Sequence, residues 1–215
     1  MRICLIKLII VATIFSINLT PLTVNAAQPT NKQNQFLTQS VVQLKEDFRK
    51  VWIEHAIWTR NYLYSSILEL ENKEQTLARL LKNQEDIGAV ITPYYGKAAS
   101  KRLTELMKEH IAIGGKVISA IKTGNQEEFA KHNKSWYRNS DDIAQFLSSA
   151  NPNWNRSDLQ KMLHMHLEDV TTNTKFIVNK DWSKDIKAFD HGELHLIMIA
   201  DTLTEGILKQ YPEKF

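Results

Sequence analysis

Cysteine is almost missing from this chain: of 215 residues, only Cys4 carries a thiol. It lies among the first basic residues, away from the cleavage point inferred below, so a lipid anchor is not expected. Without it nothing remains for disulfides, thiolate metal sites, a thiol nucleophile or c-type haem attachment. Proline and glycine are scarce too, at 5 and 7 residues. They gather at a few breaks and leave long stretches uninterrupted. No stretch alternates apolar and polar residues for long enough to require a strand. Beyond the N-terminal segment, no run approaches the ~20 apolar residues that a membrane-spanning helix needs. A phosphate-cradling glycine loop, a Gly-x-Ser-x-Gly elbow and a dinucleotide fingerprint are all absent.

What is present begins with an address. Met1-Arg2-Ile3-Cys4-Leu5-Ile6-Lys7 is basic, Leu8 to Ile17 is apolar, and Val24-Asn25-Ala26 places small residues before Ala27. These are the parts of a secretory signal peptide spanning residues 1–26, with a periplasmic or secreted destination. Asn18, Thr20 and Pro21 interrupt the apolar run, so it is short for a permanent anchor. Charge is nearly balanced, with 27 Lys+Arg against 24 Asp+Glu. Losing Arg2 and Lys7 with the signal leaves 25 against 24, a net charge of +1. That balance gives no electrostatic argument for nucleic acid or for an anionic membrane surface. The expected partners are therefore a small ligand or another protein, with no membrane insertion after cleavage.

The remaining chain reads as helix throughout. Residues 27–37 are polar and aperiodic, a disordered lead-in. Helical spacing of apolar residues then predicts six helices, near 38–70, 74–91, 97–122, 126–149, 157–179 and 181–210. Breaks fall at Thr92-Pro93-Tyr94-Tyr95-Gly96, Thr123-Gly124-Asn125 and Asn151-Pro152-Asn153. Ser157 is the expected N-cap of the fifth helix. The expected fold is an all-α six-helix bundle in a single domain over residues 38–215, made of three antiparallel hairpins at about 38–92, 97–150 and 157–211.

The hairpins look like copies of one unit. Glu54-His55, Glu109-His110 and Met165-His166 recur at steps of 55 and 56 residues. Asn83-x-x-Asp86-Ile87, Asn139-x-x-Asp142-Ile143 and His195-x-x-Met198-Ile199 recur at steps of 56. The midpoints of the pairs His55/Asn83, His110/Asn139 and His166/His195 fall at or near the turns. Because both arms of a hairpin rise ~1.5 Å per residue, each pair should face across its hairpin at one height. All six also lie on apolar seams, which predicts one polar layer inside the bundle.

A buried imidazole or amide must be hydrogen-bonded or ligated. Two readings follow. In one the layer only specifies the fold, in a non-catalytic structural or interaction module. Alternatively His55, His110, His166, His195 and His191 ligate a transition-metal ion or another small ligand, with Asn83, Asn139, Asp86 and Asp142 around it. His191 and His195 are four apart on one helix, a usable ligand pair. Gly192 stands where a zinc-protease helix needs its catalytic glutamate, which excludes that enzyme class. The pairs required by di-iron bundles do not recur. Arg60 and Arg79 are nearly equidistant from the first turn, with Asp86 and Glu85 on the same hairpin; an ion pair at the hairpin edge is expected, with an anion site as the alternative.

Three segments, Trp52-x-Glu54-His55-x-x-Trp58-Thr59-Arg60, Asn83-Gln84-Glu85-Asp86-Ile87-Gly88 and Ala200-Asp201-x-Leu203-x-x-Gly206-Ile207, resemble a family of uncharacterised bacterial α-helical proteins. The likeness covers about residues 45–215. Glycosyltransferase and acetylglutamate kinase labels travel with such sequences. Both would imply an α/β nucleotide-binding fold, for which this chain has no strands. The resemblance carries over no catalytic residues.

Overall fold

A computed structural model describes residues 38–215. The expected signal peptide and lead-in lie outside the described residues. The described chain is all helical. Its helices are α1 (Gln39–Ile67), α2 (Lys73–Val90), α3 (Thr92–Thr123), α4 (Gln126–Ala150), α5 (Arg156–Val178) and α6 (Trp182–Gln210), followed by a short 3-10 turn, Pro212–Lys214.

Local chemistry explains the ends. Thr38 accepts from the Val41 N–H, Asn125 from Glu128 and Asp181 from Lys184, so three helices start on side-chain oxygens that satisfy first-turn donors. The fifth helix starts on Asn155, which accepts from Asp158 N at 3.1 Å, rather than on the expected Ser157. Asparagine serves equally well as a cap, and two candidates so close together cannot be ranked by composition. Gly124 closes α3 in the left-handed region, at φ 69°. Gly96, at φ 77°, separates the Thr92–Tyr95 turn from the long body of α3. That is why periodicity places the helix start at Lys97. The first helix stops at Ile67, three residues short of the expected end, where Glu69 turns the chain at φ 57°.

Each helix packs on its neighbours in sequence, and α1 closes the ring against α6. The odd-numbered helices α1, α3 and α5 also touch one another across the interior. The apolar core divides into two clusters. One holds Phe48, Trp52, Ile87, Leu106, Ile143, Leu163 and Ile199; the other holds Leu63, Leu80, Ile118, Trp136, Leu167 and Ile177. The changeover lies between Leu80 and Ile87 on α2, between Trp136 and Ile143 on α4, and between Leu163 and Leu167 on α5. Asn83, Asn139 and His166 occupy those intervals, so polar side chains mark the boundary between the clusters.

Around the end of the bundle where α3 begins and α4 ends, the two aromatic breaks meet. The Tyr95 hydroxyl donates to Gln210 Oε1 at 2.7 Å and accepts from Asn151 Nδ2 at 2.9 Å. Its ring lies 5.5 Å from Trp154. These residues pack and cap this end.

Candidate functional site

Three histidines from the three inner helices converge at the boundary between the two core clusters. His55 on α1, His110 on α3 and His166 on α5 are all buried. The His166 ring centroid lies 5.5 Å from that of His55 and 6.2 Å from that of His110. Trp52 meets the His55 ring edge-on, and Trp136 lies 5.2 Å from the His110 ring.

Hydrogen bonds determine which ring nitrogen carries the proton. Asn83 Nδ2 donates to the Val51 carbonyl at 2.9 Å, which turns Asn83 Oδ1 toward His55 Nδ1, 3.2 Å away. Gln84 Nε2 lies 3.3 Å from the same ring nitrogen, but its two hydrogens go to the Leu80 carbonyl at 2.7 Å and to Asn83 Oδ1 at 3.2 Å. An amide oxygen only accepts, so this arrangement favours the His55 hydrogen on Nδ1 and a lone pair on Nε2. The same logic holds in the next hairpin. Asn139 Nδ2 donates to the Leu106 carbonyl at 3.2 Å, and its Oδ1 accepts from His110 Nδ1 at 2.9 Å. In the third hairpin His195 takes the asparagine's place, its Nε2 donating to the Met162 carbonyl at 2.7 Å. Val51, Leu106 and Met162 each precede the layer histidine of their own hairpin by four residues. His166 receives no side-chain acceptor of this kind, and its ring makes no protein hydrogen bond among the described residues.

Burial keeps this layer uncharged. Desolvation lowers the pKa values of His55 and His110 to about 4, helped at His55 by repulsion from His110 and opposed in both by the asparagine bond. It pushes His166 well below the ordinary value, with His55, His110 and His195 adding repulsion. At neutral pH His55, His110 and His166 are neutral imidazoles.

A cavity of about 20 Å³ lies against His55, His110, His166, Tyr62 and Trp136. A water molecule needs roughly 10–15 Å³ on this scale, so the space suits one small occupant. The indole N–H of Trp136 is buried beside it and has no hydrogen-bond partner among the described residues. Among the described residues, no group of three or more histidine, cysteine, aspartate or glutamate side chains is placed so as to hold a metal ion as the side chains stand.

The other expected site residues lie elsewhere. His191 is 64% exposed and its Nδ1 donates to Asp169 Oδ1 at 3.0 Å, outside the layer, although it is one turn from His195. Asp86 is half-buried on the outer face of α2, paired with Arg79 at 3.5 Å and Lys82 at 3.0 Å. Asp142 is exposed on α4. The two aspartates are three positions beyond their asparagines. The helical turn carries them off the buried seam, which continues through Ile87 and Ile143, and desolvating them would be costly.

The edge ion pairs are partly as expected. Arg79 bonds Glu54 at 2.9 Å as well as Asp86. Arg60 does not join them. It crosses to α6, where its Nη2 donates to the fully buried Asp185 at 2.6 Å. Asp185 also accepts from the Tyr64 hydroxyl at 2.5 Å and from Asn173 Nδ2 at 2.7 Å. Desolvation, then the bond to this carboxylate, raises the Tyr64 pKa. Sequence reading missed Asp185, Asn173 and Gln84. Asp185 lies in the first turn of α6, where acidic residues are ordinary, so only the tertiary contact reveals it.

No protein-family profile, curated protein or solved structure matches the chain.

Proposed function

We propose that this chain is an exported helical-bundle binding protein whose central layer takes a small ligand, a transition-metal ion being the one its chemistry suits best. The observation that carries this reading is the paired orientation of His55 and His110. In each, an asparagine accepts the Nδ1 proton, which leaves the Nε2 lone pair free in a neutral ring. Metal-ligating histidines are held in this way by partners on the far ring nitrogen. Low pKa values remove proton competition at neutral pH. Ligation calls for the rings of His55, His110 and His166 to draw together by side-chain rotation around the small cavity they border. Three equivalent hairpins would explain how one histidine comes from each. The matching bonds to the carbonyls of Val51, Leu106 and Met162 support that repeat.

Elemental analysis of protein from its native compartment tests the reading, followed by titration with Zn²⁺, Cu²⁺ and Mn²⁺. Near-stoichiometric metal, lost together in His55→Ala and His166→Ala with helicity retained, is the expected result. Unchanged stoichiometry in both variants would sink it.

A second reading is favoured by the cavity's size and by the absence of a ready ligand cluster among the described residues. In it the layer holds an ordered water and only sets the register of the hairpins, in a non-catalytic interaction module. Metal-free protein that takes up none on titration would select this alternative.

A further inference from the structure

On the other side of His166 lies a second, larger cavity of about 40 Å³, enclosed by α1, α5 and α6. Three of its lining side chains have a buried polar atom with no hydrogen-bond partner among the described residues: Thr59 Oγ1, Arg60 Nη1 and Asp169 Oδ2. Unpaired buried polar atoms are rare in folded proteins, and three against one cavity call for an occupant. Two of the three groups are anchored through another atom. Arg60 spends Nη2 on Asp185 and Tyr64, and Asp169 spends Oδ1 on His191. The cavity wall thus holds one unspent donor, one unspent acceptor and one hydroxyl that can do either, within reach of an occupant after small side-chain shifts. The remaining wall is mostly apolar, with Phe189 and Leu196 from α6, and also includes His166, Asn173 and Glu193.

Gly192 supplies an independent observation. It sits inside α6, where glycine costs about 1 kcal/mol relative to alanine. No steric demand accounts for it. A Cβ there would meet nothing nearer than Asp169 Cβ at 3.6 Å and Asp169 Oδ2 at 4.0 Å, ordinary contact distances. The missing methyl group leaves open the space beside the unpaired carboxylate oxygen. Gly192 and Glu193 are only partly buried, so this side of the cavity reaches the surface.

We infer that the Thr59–Arg60–Asp169 cavity is a binding site for a small primary amide or ureide, distinct from the histidine layer. The carbonyl oxygen accepts from Arg60 Nη1 and the N–H donates to Asp169 Oδ2, while Thr59 completes whichever partner is left. Both charged groups already face an opposite or hydrogen-bonding side chain, so a neutral molecule with adjacent donor and acceptor fits better than a simple anion or cation. The volume admits about three or four heavy atoms, at one water-sized volume of roughly 10–15 Å³ each.

Acetamide is the probe, titrated into the ¹⁵N-labelled whole protein and followed by amide chemical shifts, with acetate and methylammonium in parallel. The expected result is saturable binding of acetamide at ~1 mM, in keeping with so few atoms. Shifts should centre on residues 59–60, 169–170 and 189–193. Gly192→Ala should fold with equal or higher Tm yet bind at least tenfold more weakly, and Asp169→Asn should weaken binding similarly. His55→Ala should leave it unchanged, which separates this site from the metal reading. Absence of saturable shifts, or wild-type affinity in a folded Gly192→Ala, would overturn the site. Acetate or methylammonium binding as tightly as acetamide would overturn the ligand class.

Discussion

In the first two hairpins the inward histidine is clamped by an asparagine, which reaches past it to a backbone carbonyl one turn earlier. In the third hairpin His195 donates from Nε2 to the corresponding carbonyl, but no hydrogen bond joins it to His166 among the described residues. The amide of asparagine holds its donor and acceptor side by side on one carbon, so it bridges carbonyl and imidazole at once; a neutral imidazole also has one of each, but on separated ring nitrogens, and here only Nε2 is used. Both cavities border His166, and the buried carboxylate of Asp185 lies on the third hairpin as well. Two hairpins therefore clamp their inward histidine with an amide, and the third leaves its own, His166, unclamped beside open space.

The largest expected effect is that of pH on the metal-free protein, and it originates in the clamped pair. Unfolded histidine takes up its proton near 6.5, while folded His55 and His110 resist until about 4. Between those values the unfolded chain binds more protons, so stability falls as pH drops through the window and levels off below it. Each ring accounts for about 3 kcal/mol. Urea denaturation across that range should show the decline, and His110→Gln should make it shallower.

Next comes the tie between the first and third hairpins. Asp185→Ala leaves the Arg60 guanidinium and the Asn173 amide without their carboxylate, and should cost about 3–5 kcal/mol in the same assay. Removing a clamp should matter somewhat less. Asn83→Ala or Asn139→Ala strands a buried imidazole N–H and opens a small void, for about 2–3 kcal/mol. His166→Leu breaks no protein hydrogen bond, and should cost less than about 1.5 kcal/mol. A loss from His166→Leu as large as that from Asn83→Ala would erase the distinction between the hairpins. The smallest effect is expected at Asp142→Asn, an exposed position, where Tm should move by less than about 2 °C.

Much of this was legible beforehand. Apolar spacing, together with Pro93, Gly96, Gly124 and Pro152, placed the helices to within a few residues, because helix formation depends on neighbours three and four positions away. Equal heights on the two arms of a hairpin paired His55 with Asn83 and His110 with Asn139 before any contact was known. Asp86, Asp142 and His191 were misplaced for a related reason. Proximity along a helix gives height but not which face looks inward, and ±60° of rotation separates a buried position from a solvated one.

What the sequence by itself determined is the set of helices, their breaks, and which polar residues must lie at one level of the core. Those follow from local periodicity and chain geometry. The tertiary structure alone decided the contacts between hairpins: Arg60 choosing Asp185 over its own hairpin, three rings meeting at 5.5 and 6.2 Å, and unpaired atoms gathered around one cavity. Such contacts depend on how whole helices rotate and settle against one another. That balance is struck by the packing of every core side chain at once, and no short stretch of sequence contains it.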